Sequence, residues 1–282
     1  MVIAPGRRTR PGALGKVTRL ADAASCPFCE GHEGMTPPET LALDRPPGAP
    51  PDSPGWTVRV VPNKYPAIPG QEVAVHGGTH AVSLAEVDPH VLTRTLDAWA
   101  ARRDHHQAQG ATWVLACINE GPGAGASLEH SHSQIVPFPD PPPVIELEAD
   151  ATGGERCALC DVLEAEQGRV VAERAGLAAF CPSWSRVPYE LWIASGDHQA
   201  SVTPGSGLAG LLHDMVVRLR TVLGEELAWN AVLHEATAGG DFHWHVELLP
   251  RLTVPASLEL GTGLWLNVVD PDVAAGELRA AG

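Results

Sequence analysis

Cysteine and histidine recur in this chain at spacings that suit metal and phosphoryl chemistry. Four of the six cysteines form Cys-x-x-Cys pairs, Cys26/Cys29 and Cys157/Cys160, while Cys117 and Cys181 stand alone. One such pair is as readily a redox couple or a coincidence as a metal site. Two pairs, each followed by similarly arranged histidines, point to metal. After each comes a single histidine, His80 or His198, and then a His-x-His that starts at His130 or His243. Two thiolates and two imidazoles make a closed tetrahedral set of the kind zinc takes in structural sites. The first expected zinc site is Cys26, Cys29, His80 and His130; the second is Cys157, Cys160, His198 and His243. The gaps within each set are wider than a zinc finger's, so each ion would tie remote strands together.

A second chemistry lies in residues 117–135, C-I-N-E-G-P-G-A-G-A-S-L-E-H-S-H-S-Q-I. Gly121, Gly123 and Gly125 free the backbone to approach an anion, and the N–H groups of such a turn can hold phosphate oxygens. In the strand that follows, His130, His132 and Gln134 alternate and share one face. If these histidines only bound metal, His132 would be left over. An imidazole beside an anion cradle suits nucleophilic attack on phosphorus, with the phosphoryl group held covalently on histidine.

Strands and a helix must bring these groups together, and the chain writes the same set twice. Cys-x-x-Cys, single His, helix, Trp-led strand (Trp113 or Trp229) and His-x-His strand occur in that order in each half. Each His-x-His stands the same distance before a proline, Pro137 or Pro250. Short β-rich runs at 58–61, 72–75, 113–118 and 132–136, bounded by Pro and Gly, predict strands. Apolar positions at Leu84, Val87, Val91, Leu92, Leu96 and Trp99 predict a helix within 84–107, and those from Leu208 to Leu223 predict another. The fold class is α+β, each half an antiparallel sheet with a principal helix packed on it. The Pro-rich run 137–143 should not continue a central strand and marks the joint; residues 36–55 read as a surface loop.

The net charge of −15 over 282 residues disfavours a general nucleic-acid binder, because a polyanion would be repelled. The cations that do cluster are Arg7, Arg8 and Arg10, which suit a small anionic ligand. No apolar run approaches the roughly 20 residues needed to cross a bilayer. The opening residues lack the pattern of a secretory signal, so a cytoplasmic setting with reduced thiols is expected.

His130-Ser-His-Ser-Gln134 resembles the active-site motif of the galactose-1-phosphate uridylyltransferase branch of the histidine-triad superfamily. The resemblance extends over nearly the whole chain. V-I-A-P-G-R-R-T-R-P from Val2 resembles that family's opening motif, and C-P-F-C-E-G-H-E from Cys26 with T-P-P-E from Thr36 resembles its zinc region. V-R-V-V-P-N-K-Y-P-A from Val58 is similar to its nucleotide-side strand, and residues 119–134 align with its signature without a gap. The second half, with G-D-H ending at His198 and E-L-G-T-G-L-W-L-N from Glu259, is closer to ADP-glucose phosphorylase-like members. The resemblance implies duplicated histidine-triad-like units: residues 1–143 with catalysis and the first zinc site, 144–282 with the second.

Carried over by position, it makes His132 the nucleophile that takes the nucleotidyl group and Gln134 the group that hydrogen-bonds it. Ser127, with the backbone around Gly125, would contact phosphates; Asn63, Asn119, Arg7 and Arg10 match positions near the nucleotide or its phosphates. Superfamily hydrolases carry a histidine where Gln134 stands, and glutamine cannot act as an acid, so transfer to a non-water acceptor is favoured. Galactose-specific members read the sugar with an aromatic–Glu pair, whereas the matching stretch here is Gly261-Thr-Gly-Leu-Trp265. His245 lacks a Gly-Ser cradle before it and reads as a vestige of duplication or an ancillary residue. The expected function is ping-pong nucleotidyl transfer from a nucleoside-diphosphate sugar to phosphate or a sugar 1-phosphate, without nucleic acid or membrane; the resemblance allows a homodimer. The alternatives are a dinucleoside-polyphosphate phosphorylase or nucleotide hydrolase of the same superfamily, and a non-catalytic nucleotide-binding zinc protein.

Overall fold

Residues 23–154 and 156–282 are described by the computed structural model, which divides between Pro141 and Pro142 into two units. In the first unit the strands are β1 (Leu41–Leu43), the Val-rich β2 (Val58–Pro62) and β3 (Glu72–His76), β4 (Trp113–Glu120) and β5 (His132–Phe138). They lie in the order β1-β2-β3-β5-β4, every pairing antiparallel. Helix α1 (Pro89–Ala108) joins β3 to β4 and buries Leu92, Leu96, Ala98 and Trp99.

Polar contacts fix where α1 sits. Arg102 Nε and Nη2 donate to the two carboxylate oxygens of Glu72 on β3, at 2.8 and 2.9 Å. His106 Nε2 adds a contact to Glu72 Oε2 at 2.9 Å. Burial pushes the Glu72 carboxyl up, but the His106 and Arg102 hydrogen bonds outweigh it and its pKa lies below the ordinary range. Further along, Trp99 Nε1–H donates to Ser133 Oγ on β5 at 2.8 Å.

Three local expectations are corrected. The α-helix starts at Pro89, and Leu84–Glu86 is a separate 3-10 turn. Proline suits the first helical position because its missing N–H would have no partner there, and Asp88 caps the turn through His90 N. Residues 36–55 are not only loop: β1 pairs with β2, and buried Arg59 pins the segment through Glu39, Thr36 and Asp52. Strand β5 also runs on through Pro137. β3 pairs with β5 only as far as Ile135, so the missing N–H of Pro137 removes no ladder bond on that side.

The second unit contains α2 (Pro143–Thr152), α3 (Ala158–Ala165), β6 (Val170–Arg174), β7 (Leu177–Phe180), β8 (Leu191–Ser195), α4 (Leu208–Leu223), β9 (Trp229–His234), β10 (His245–Pro250), α5 (Ser257–Thr262) and α6 (Pro271–Ala280). Its strands follow the order β6-β7-β8-β10-β9. With α4 between β8 and β9, this is the order of the first unit. Leu208, Leu211, Met215, Val216 and Leu219 of α4 are fully buried, as are Trp229, Phe180 and Ile193 of the strands. The short helices α2, α3, α5 and α6 go beyond the single principal helix expected in this half. No helix among the described residues is long and apolar enough to cross a membrane.

Candidate active site

The placement of His132 follows from strand register. His132 lies opposite Val75, and Gln134 lies opposite Val73 on β3 and Cys117 on β4. Strand alternation puts His132 and Gln134 on one face and Ser131 and Ser133 on the other. Behind the strand, buried His76 of β3 takes both hydroxyls, Nδ1 to Ser131 Oγ at 2.9 Å and Nε2 to Ser133 Oγ at 3.0 Å. Burial, then the nearby rings of His132 and His130, holds the His76 pKa well below its ordinary value, so the ring is neutral. The active strand is thus gripped from behind by His76 and Trp99.

On the front face, His132 Nδ1–H donates to the carbonyl of His130 at 2.6 Å. That bond sets the tautomer and makes Nε2 the nitrogen with the lone pair. Phe28 meets the His132 ring edge-on at 5.3 Å. Asn63, Ser127, His132 and Gln134 share a cavity of about 330 Å³ whose apolar walls include Phe28, Met35, Pro37, Val61, Tyr65 and Leu128. Such a mix of apolar wall and convergent polar groups is what a small-ligand site needs. Gly121 and Gly125 turn the preceding loop with φ of 79° and 85°, which favours glycine. Asn119 follows Ile118, the residue paired with Ser133, and neither Asn119 nor Gly125 is part of the cavity wall. Arg7 and Arg10 lie outside the described residues.

Each Cys/His set is brought together and could hold a metal ion, with its ligand atoms all within 4.8 Å of one another. In the first, His130 Nδ1 lies 3.5 Å from Cys26 Sγ and 3.7 Å from Cys29 Sγ, and His80 Nδ1 lies 3.4 Å from Cys29 Sγ. In the second, His243 Nδ1 is 3.4 Å from both Cys157 Sγ and Cys160 Sγ, and His198 Nδ1 is 3.9 Å from Cys160 Sγ. Zinc–sulfur and zinc–nitrogen bonds at a tetrahedral angle would place S and N about 3.6 Å apart.

The outer nitrogens of His130, His243 and His198 are committed as metal-ligating histidines require. His130 Nε2–H donates to Gly77 O at 2.9 Å and His243 Nε2–H to Ser195 O at 2.8 Å. His198 Nε2 meets Asp241 Oδ1 at 2.9 Å. Burial and Cys26 push the Cys29 thiol up to about 12, and burial and Cys157 push Cys160 up to about 11. A dication would supply the charge that makes those thiolates stable. Gly78 allows the close approach that brings His80 in: a β-carbon there would meet Glu30 Cβ at 2.6 Å, and Glu30 N–H donates to Gly78 O at 2.9 Å.

The second unit's counterpart of His132 is sealed. His245 is 1% exposed against 9% for His132. Trp192 stacks on its ring at 4.4 Å and 4°, and Phe242 lies parallel at 6.1 Å. Burial pushes the His245 pKa down to about 3. Its neighbours form a third group of ligand-type side chains, Glu148, His234, His245 and Glu247, within the same 4.8 Å. Three members already have partners: His234 Nδ1–H donates to Glu148 at 2.6 Å, and Arg186 donates to Glu247 at 2.6 Å.

The stretch from Val58 singled out in the sequence does line the cavity, through Val61, Asn63 and Tyr65, whereas Phe28, inside the first Cys-x-x-Cys, and the walls Met35 and Pro37 were not named as site residues. Sequence reasoning also missed His76 and Gln71, which reach the active strand only through β3–β5 pairing. No family model matches the chain. The chain is 26% identical to ADP-glucose phosphorylase of Arabidopsis thaliana, over 91% of this chain and 82% of that protein. It is 29% identical to galactose-1-phosphate uridylyltransferase of Thermotoga maritima, over 90% of this chain and 88% of that protein. A crystal structure of the Arabidopsis thaliana ADP-glucose phosphorylase with bound ADP-glucose matches with a TM-score of 0.80 and 26% identity, covering 98% of this chain and 93% of that one. These proteins are homologues that match along most of both lengths.

Proposed function

We propose that this homologue of ADP-glucose phosphorylase and galactose-1-phosphate uridylyltransferase transfers a nucleotidyl group from a nucleoside-diphosphate sugar through His132. His132 Nε2 attacks the α-phosphorus, an N–P bond forms, and the bond to the bridging oxygen breaks with its electrons leaving on sugar 1-phosphate. An oxygen of inorganic phosphate or of another sugar 1-phosphate then attacks the same phosphorus. The N–P electrons return to Nε2, and a nucleoside diphosphate or a new nucleoside-diphosphate sugar departs. The observation that carries this reading is the His132 ring itself, its Nδ1–H given to the His130 carbonyl and its body in a cleft with Gln134, Ser127 and Asn63.

In this reading Gln134 holds the transferred phosphoryl group, and Ser127 with the backbone near Gly125 holds the substrate's phosphates. Asn63, Asn119, Arg7 and Arg10 serve the nucleotide end. Because an amide cannot donate a proton as an acid, the nucleotidyl-histidine waits for an acceptor other than water. We assign zinc to both Cys₂His₂ sets. Cys26, Cys29, His80 and His130 would hold one ion and Cys157, Cys160, His198 and His243 the other, and each dication supplies structural charge balance rather than catalysis. The nearness of His130 to the nucleophile lets the first set fix the direction of His132. The two units are read as a duplicated histidine-triad-like pair, the first catalytic. Reduced thiols fit a cytoplasmic setting, and exposed Val254, Leu260, Leu264, Trp265 and Leu266 fit the surface of a homodimer.

Inorganic phosphate is the favoured acceptor. Glu259, Thr262 and Asn267 of the segment that would read a sugar are used locally: Glu259 accepts from Ala256 N at 2.9 Å, Thr262 Oγ1 donates to Leu258 O at 2.6 Å, and Asn267 Nδ2 donates to Ser185 O at 3.1 Å. A site without a hydrogen-bonding reader discriminates weakly between hexose epimers, whereas phosphate needs only the anion cradle. Phosphorolysis of ADP-glucose and UDP-glucose, measured beside uridylyl exchange with galactose 1-phosphate on one preparation, tests this. Phosphorolysis should rival or exceed exchange; efficient exchange with no phosphorolysis would restore the ordinary uridylyltransferase reading.

A further inference from the structure

We propose that Gln71 is a positioning residue for this transfer: it fixes the Gln134 amide so that the NH₂ end, and not the carbonyl, meets the transferred phosphoryl group. The inference rests on the roles given above to His132 and Gln134. Its starting point is a donor of unambiguous polarity. The backbone N–H of Ala67 lies 2.7 Å from Gln71 Oε1, and an N–H can only donate, so that end of the Gln71 amide is its carbonyl. The other end of Gln71 is therefore NH₂, and it donates to Gln134 at 2.5 Å. The atom that accepts is Gln134 Oε1, which leaves Gln134 Nε2 as the end available to the cleft. The chain of polarity runs Ala67 N–H, Gln71, Gln134, phosphoryl oxygen, and no link can be reversed without leaving two acceptors or two donors face to face.

Gln71 is built to hold this direction. It is 4% exposed, and its backbone carbonyl accepts from Asn63 N at 2.9 Å while its own N–H donates to Ile68 O at 3.2 Å. The turn that Gln71 closes therefore also carries Asn63, another wall of the cleft. Phosphoryl oxygens only accept hydrogen bonds. A Gln134 turned to present its carbonyl would replace attraction with repulsion where charge develops, and a single such donor is worth about 100-fold or more in rate.

Gln71→Glu separates this role from a merely structural one. Its ionised carboxylate can still accept from Ala67 N–H, but it cannot donate to Gln134, whose NH₂ would turn inward toward it. Protonation restores a donor and so the original direction. Titratable groups on the surrounding elements are Lys64 and Tyr65 in the turn, Glu72 beside it in sequence with Arg102, His106 of α1, and His132 and Cys117 on the neighbouring strands. Rates are therefore read as a ratio of variant to wild type at each pH. In single-turnover labelling of the protein by nucleoside-diphosphate sugar, Gln71→Glu should run about 100-fold below wild type at pH 8. The ratio should recover at least about tenfold by pH 6, with substrate affinity little changed, as protonation returns the lost donor. Gln71→Met should show a deficit that does not vary with pH.

A Gln71→Glu deficit that stays flat across pH, or both variants running as wild type, would overturn the proposal. Should Gln71→Glu fail to fold, Gln71→Met decides: a lower kcat at unchanged KM supports positioning, and an unchanged kcat overturns it. Wild-type protein that turns over without taking label would overturn the covalent reading instead, before any variant is made.

Discussion

His132 and its neighbours show how one strand serves two purposes, because alternation sends His132 and Gln134 forward and Ser131 and Ser133 back. The back face is closed by His76, which makes hydrogen bonds to both serines and is kept neutral by its burial. Its depressed pKa makes a stability prediction with a definite sign. Above the ordinary histidine value of about 6.5, the ring is neutral in folded and unfolded chains alike and its contribution is fully present. As pH falls below that value the unfolded chain takes a proton that the folded one refuses, and stability drops by up to about 1.4 kcal/mol per pH unit. Urea unfolding at pH 7.5 and 5.5 should show this loss, and His76→Gln, neutral throughout, should show less of it. An equal loss in both proteins would mean that His76 is not the group refusing the proton.

At the scale of elements, α1 is held to β3 by Glu72 as well as by its apolar face. Arg102 and Glu72 are both buried, with Arg102 making two hydrogen bonds to the carboxylate. Removing Arg102 leaves the buried Glu72 carboxylate with the His106 contact to hold it, so Arg102→Met should cost up to about 3 kcal/mol in urea unfolding, the low end for breaking a buried pair. The double variant with Glu72→Gln should recover much of that, and a single-variant cost under about 1 kcal/mol would show that the pair is weakly coupled. Elements of this kind were legible in the sequence to different depths. The apolar spacing of α4 is complete within its own residues, so its bounds could be read directly as Leu208–Leu223. β1 has three half-buried residues and no alternation, and only its pairing with β2 makes it a strand. The metal sets were legible because duplication repeats their pattern. Gln71 and His76 were not, since both act across a strand pairing that local sequence does not encode.

For the whole molecule, each of the two Cys₂His₂ sets brings remote segments of its own unit together and could hold a metal ion, and metal content tests whether both do. Protein purified without added metal should carry about two zinc ions per chain, and Cys157→Ser should remove one. Loss of the first set through Cys26→Ser should cost folding and activity together, since its ligands come from three separate segments. One ion per chain, unchanged by Cys157→Ser, would sink the second site. In the proposed reaction the chain itself carries the nucleotidyl group between substrates, and the mass of the intact protein reports this. After brief incubation with ADP-glucose or UDP-glucose in the absence of phosphate, the chain should gain the mass of one nucleotidyl group as sugar 1-phosphate appears. The gain should vanish on adding phosphate, and His132→Ala should fold, keep its zinc and show no gain. Turnover with no added mass, or added mass that persists in His132→Ala, would show that His132 does not carry the group.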